Sequence, residues 1–183
     1  MMKKGAGIGL MAFWACAAMG ADVASTTLRV SFDDARRGEV AQVVAGGRDY
    51  ASPVARFPLF EIACCPAGQF TNRVVASSRN AKAFAAEAAP DGVRLVYGGF
   101  RKEGVEAVVC TVRGVDAYVR WGISVKMADG WALEETTYPR ILVAPVLGSD
   151  AGDDRFVYGT AKGGVTYNPG AKGVGWRAYA KQP

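Results

Sequence analysis

The chain has 183 residues, four cysteines, no histidine and a formal net charge of +5. Half of the residues are hydrophobic and 21% are charged, a globular balance in a length that suits one domain. Without histidine there is no Ser-His-Asp or Cys-His catalysis, no histidine general base and no histidine-ligated zinc.

Met1-Met2-Lys3-Lys4 precedes a run without charge from Gly5 to Ala21. A membrane-spanning helix needs about 20 apolar residues. This run is shorter and is broken by Gly5, Gly7, Gly9 and Gly20. Basic start, apolar middle and small-residue exit describe a secretory signal peptide over residues 1–20, cleaved near Gly20. Residues 21–183 are then the working domain, secreted, periplasmic or held at the cell surface. The membrane is met only during export. An uncleaved anchor and lipidation at Cys16 are the alternatives, and Phe13-Trp14-Ala15 suits a lipidation signal poorly. Cleavage removes Lys3 and Lys4 and lowers the formal charge to +3. The remaining Lys and Arg are spread rather than massed, so nucleic acid is not an expected partner.

Short β-type runs follow. Leu28, Val30 and Phe32 alternate with Arg29, Ser31 and Asp33, which predicts a half-buried strand. Arg36-Arg37-Gly38 turns the chain into a strand over 39–44, closed by Gly46-Gly47. Residues 59–65 form the next apolar run, between Phe57-Pro58 and Pro66-Ala67-Gly68. Residues 82–89 and 93–97 read as a hairpin across Pro90-Asp91-Gly92. A helix over 77–89 is the rival, because alanine favours helices. A valine-rich strand covers 105–113, and Gly114-Val115-Asp116 separates it from another over 117–127. On that strand Tyr118, Arg120, Gly122 and Ser124 share one face. Asp129-Gly130 predicts a compact hairpin into a strand over 131–138, and if Trp131 alternates with Leu133 it lies on the buried face. Pro139 ends or bends it, and residues 141–147 follow as a strand interrupted by Pro145. Residues 158–175 read as glycine-rich loop, and alternation resumes at 176–180 as if the sheet were cut short. Regularly spaced short strands predict an all-β, mostly antiparallel β-sandwich.

The chemistry-bearing residues are few. Cys64, Cys65 and Cys110 remain after cleavage, an odd number that leaves at least one thiol unpaired. One of the first two can reach Cys110, but three small buried apolar residues is the favoured reading. The carboxylate pairs Asp33-Asp34, Glu134-Glu135 and Asp153-Asp154 invite acid–base roles. Neighbours on a strand face opposite sides, however, so Glu134 and Glu135 do not converge by themselves. Asp33-Asp34 suits a turn and ion pairs with Arg36-Arg37. Asp150, Asp153 and Asp154 lack the spacing of a calcium loop. Gly159 to Gly164 lacks the Lys-Ser/Thr of a phosphate loop. No metal or cofactor is expected. Trp121, Trp131 and Trp176, with Tyr97, Tyr118, Tyr138 and Tyr167, suit a hydrophobic core better than a sugar platform. Trp121 and Trp176 are the candidates for glycan stacking.

Three segments carry a family resemblance. The first runs from Leu28 to Asp33, through Gly38 and Val40 to Val44, to Phe57-Pro58-Leu59-Phe60-Glu61-Ile62. The second is Trp131-Ala132-Leu133 with Thr137-Tyr138-Pro139-Arg140-Ile141. The third is Phe156-Val157-Tyr158-Gly159 through Gly164, then Tyr167-Asn168-Pro169. Their order resembles the N-terminal region of a family of bacterial secreted proteins assigned to the glycoside hydrolases but classed as a domain of unknown function. The resemblance covers about residues 27–180. It implies a galactose-mutarotase-like β-supersandwich that precedes a catalytic (β/α) barrel. The barrel, with the catalytic carboxylates, lies outside this sequence, so no catalytic residue carries over and activity of the chain alone is not expected. The expected function is a non-catalytic accessory domain that packs on the barrel and shapes a glycan site. A free-standing glycan-binding or adhesive module, and a truncated inactive product, are the alternatives.

Overall fold

The computed structural model describes residues 20–53, 55–100 and 103–144, together with the backbone of two strands at 155–158 and 164–167. Alternating side chains set the elements. In chain order they are β1 (Asp22–Ala24), β2 (Leu28–Asp33), β3 (Glu39–Ala45), β4 (Arg48–Asp49), β5 (Glu61–Pro66), β6 (Val74–Ser77) and β7 (Ala83–Ala89). There follow β8 (Gly92–Gly98), β9 (Val105–Val115), β10 (Tyr118–Met127), β11 (Trp131–Thr137), β12 (Arg155–Tyr158) and β13 (Gly164–Tyr167). Every pairing is antiparallel. The sheets run β1-β2-β3-β4, β10-β9-β8-β7 and β11-β5-β6, and β12 pairs with β13. The fold is therefore all-β and sandwich-like, as the strand pattern predicts.

One core joins the three larger sheets. The long sheet turns Val93, Leu95, Tyr97, Val108, Cys110 and Val112 inward. Val23, Val30, Phe32 and Val40 meet them from β1–β3, and Ile62, Cys64 and Ala76 from β5 and β6. Burying each large side chain contributes about 1.5–3 kcal/mol. Phe60 meets Tyr97 edge-on, with ring centres 4.9 Å apart. Two glycines allow close approach: Gly114 takes the Ala24 carbonyl where a Cβ would lie, and Gly38 (φ +71) sits under the Tyr97 hydroxyl. That hydroxyl donates to the Arg37 carbonyl at 3.0 Å.

The turn from β2 to β3 is a short 3-10 segment, Asp34–Arg36, capped by the Asp33 side chain. Asp33 also pairs with Arg56 at 2.5 Å. The turn and ion-pair role expected of Asp33 is therefore the observed one. Nearby, the buried Glu39 carboxylate receives Arg79 Nε at 2.5 Å.

The alanine-rich segment is a strand. Seven β7 residues pair with β8, from Ala83↔Gly98 to Ala89↔Gly92. Phe84 reaches the Tyr97 ring at 5.1 Å, a tertiary contact that outweighs alanine's helix preference.

Several boundaries differ from expectation. Asp129-Gly130 does not close a hairpin between β10 and β11. The Trp131 amide bonds back to the Ala128 carbonyl at 3.1 Å, and the chain leaves that turn for another sheet, where β11 pairs with β5. The reason is burial: Ile62, Ala63, Cys64 and Cys65 are all buried, so β5 needs a ladder on both sides and takes β6 and β11. Leu133 is 47% exposed rather than buried, although it pairs in register with buried Cys64, and a bulge follows it before Glu135. Gly114 and Val115 belong to β9, and only Asp116 and Ala117 connect it to β10. The described part of the expected 141–147 strand makes a single bridge, Val143 to Ala51. The glycine-rich stretch contains a strand, β13, paired with β12. The resumed alternation at 176–180 lies outside the described residues.

Candidate functional site

An open groove of about 380 Å³ lies where the long sheet meets the turn into β11. That volume is in the range of small-ligand sites. Phe100 and Val105, both buried, form its base, with Gly99, Ala128 and Trp131 alongside and Glu106 at the rim. The cause is local. Gly104 adopts φ +67, and a Cβ placed there would lie 2.0 Å from Trp131 Cδ2. The indole therefore lies directly on the Gly104 backbone. The Ala128 amide donates to the Gly104 carbonyl at 2.9 Å and ties the two turns together. At the rim, the Glu106 carboxylate pairs with Lys126. An aromatic plate beside an exposed carboxylate and ammonium can bind a ring with one apolar face and hydroxyls at its edge.

Trp121 sits elsewhere. It stands opposite Val112 on the inner face of β10. Its half-buried ring meets Phe32 at 5.8 Å and Tyr138 at 6.0 Å, both edge-on. These are core contacts, the role favoured for the aromatics. Trp176 lies outside the described residues, as do Asp150, Asp153 and Asp154. The groove indole is Trp131, which sequence patterning assigns to the interior. The Gly104 contact that brings it to the groove is non-local and leaves no local signal.

The Glu134-Glu135 pair behaves unlike a regular strand. The bulge in β11 lets both carboxylates turn to one guanidinium, that of Arg73; the Glu134 oxygen lies 3.7 Å from Arg73 Nε. Arg140 pairs with Glu61 on the same sheet and also covers the Phe57 ring at 4.8 Å. With cations held against them, these carboxylates form an ion-pair network rather than a proton-transfer pair.

Cys64, Cys65 and Cys110 are free and buried. Burial pushes the Cys64 thiol up, with the neighbouring Cys65 adding to it. Cys65 rises through burial and a hydrogen bond to Glu134. Burial pushes Cys110 up to about 12, partly offset by the Tyr138 hydroxyl. Protonated thiols are weak nucleophiles and weak metal ligands. Among the described residues, no group of three or more His, Cys, Asp or Glu is placed to hold a metal. No described helix is long and apolar enough to cross a membrane.

No protein-family model matches the chain, and a search of curated proteins finds no significant match.

Proposed function

We propose that the chain is a non-catalytic β-sandwich domain of an exported, glycoside hydrolase-like carbohydrate-active enzyme. In this reading it packs on or shapes a downstream catalytic barrel and offers the Trp131 groove to a glycan. The observation that carries the glycan assignment is the indole seated on Gly104, with Glu106 and Lys126 at the rim. A pyranose presents an apolar C–H face to such a ring and hydroxyls to the charged rim. The order of motifs from Leu28 to Pro169 supports the enzyme context, and the basic, apolar, small-residue start supports export.

A free-standing glycan-binding module is the second reading. Both readings are tested by a glycan array with the exported chain, recovered after expression with its leader. The expected result is binding of neutral glycans, lost in Trp131→Ala with cooperative unfolding retained. A cooperatively folded chain that binds no glycan contradicts both. Binding that the chain shows alone and that tightens when a downstream barrel is attached selects the first.

A further inference from the structure

The outer face of the long sheet carries a second feature, away from the groove. Arg113 of β9 and Arg120 of β10 are direct cross-strand partners. Both point outward, since their neighbours Val112 and Trp121 turn to the core. Like charges directly opposite on neighbouring strands, with Cβ atoms about 4.5–5.5 Å apart, oppose each other. Among the described residues, no carboxylate lies within ion-pair distance of either guanidinium. Arg120 does approach the half-exposed Tyr118 hydroxyl, at 3.4 Å.

The surroundings are flat. Gly92 stands opposite Arg113 on β8, and Gly122 stands opposite Thr111 in the next row. A Cβ at Gly122 would meet the Thr111 hydroxyl at 2.7 Å. Arg94 lies on the other side of Thr111 and pairs with Glu87 at 2.5 Å. The result is a flat area holding two guanidiniums with no carboxylate partner among the described residues, a phenol and a hydroxyl, with Gly92 and Gly122 in the adjoining strands. Guanidinium forks match the planar or tetrahedral oxygens of carboxylate and sulfate groups.

We propose that this area binds an acidic polysaccharide, with sulfate or carboxylate groups held between Arg113 and Arg120. The choice of a glycan over other polyanions rests on the function proposed above; the anion site itself rests on the arginine register. An extended chain can lie across the glycine rows, and its charge removes the repulsion that the bare pair carries.

The test titrates the exported chain with heparin, an unsulfated polyuronate and desulfated heparin, over a salt series. Arg113→Ser and Arg120→Ser should each weaken heparin binding about 5–10-fold and lower the salt slope by about one. Arg120→Glu should abolish anion binding and raise Tm by about 1–3 °C, because the opposed pair becomes attractive. A merely structural arginine would not give that opposite movement. Polyuronate binding without heparin binding, or the reverse, assigns the anion, and it supports the site only where both serine variants weaken binding of that polymer. Equal heparin affinity in all variants overturns the proposal. So does a fall in Tm in Arg120→Glu, or competition by duplex DNA or anionic vesicles as strong as that by heparin. Neutral-glycan binding at Trp131 is read separately, so failure of the arginine site and failure of the groove are distinguishable.

Discussion

Replacing Gly104 with alanine separates two costs that the groove combines. The first is backbone strain. Gly104 has φ +67, and an alanine held there costs about 1–2 kcal/mol. The second is collision. The new Cβ would lie 2.0 Å from Trp131 Cδ2. Ordinary carbon contacts lie at about 3.5–4.0 Å, so the indole must withdraw by roughly 1.5–2 Å. Such overpacking costs about 1–3 kcal/mol, for a total of about 2–5 kcal/mol. In a Trp131→Ala background only the backbone cost remains, about 1–2 kcal/mol. Urea unfolding of the wild type, both single variants and the double variant therefore gives a coupling of about 1–3 kcal/mol. A coupling within about 0.5 kcal/mol of zero would refute the indole-on-glycine geometry, and with it the account of how the groove forms.

Two further predictions concern groups inside the fold. Arg79→Ala leaves the Glu39 carboxylate, whose side chain is 3% exposed, without its cation. We expect a loss of about 2–4 kcal/mol in urea unfolding, with Arg79→Lys intermediate because Arg79 also donates to the Arg56 carbonyl. A loss below about 0.5 kcal/mol contradicts the pairing. The buried thiols and phenols make stability fall at high pH. Cys110 is raised to about 12, and Cys64, Cys65, Tyr97 and Tyr138 are also raised, chiefly by burial. The unfolded chain loses these protons first, so stability is whole below about pH 8.5 and declines above it, by up to about 1.4 kcal/mol per pH unit for Cys110. Unfolding midpoints from pH 7 to 11 check this, and Cys110→Ala should flatten part of the decline. A midpoint unchanged through pH 11 contradicts it.

The strands were legible wherever period-two alternation and a turn residue coincided. Leu28–Asp33 is observed with the expected bounds, and Gly38, Gly46 and Gly47 turn the chain with positive φ. Partner choice was not legible. Asp129-Gly130 signals a local reversal, and the chain does turn there, but the buried β5 edge decides where β11 goes. The same limit governs the site. Tyr118, Arg120, Gly122 and Ser124 are assigned to one face by spacing alone. That Arg120 faces Arg113 depends on the two-residue Asp116-Ala117 connection, which fixes the register. Glu134 and Glu135 share Arg73 only because one residue of β11 is bulged, and nothing in a strand pattern announces a bulge without glycine or proline. Trp131 falls to the interior by alternation, and its half-open position follows from Gly104, 27 residues earlier in the sequence.

The most direct measurement of the central claim is calorimetric titration of the chain and of Trp131→Ala with the strongest neutral glycan from the array. Stacking on a half-open indole combines buried apolar area with ring contact, about 2–3 kcal/mol together. The account predicts a loss of roughly 30–160-fold in affinity in Trp131→Ala, with cooperative unfolding preserved. Affinity equal to the wild type in that variant would contradict it.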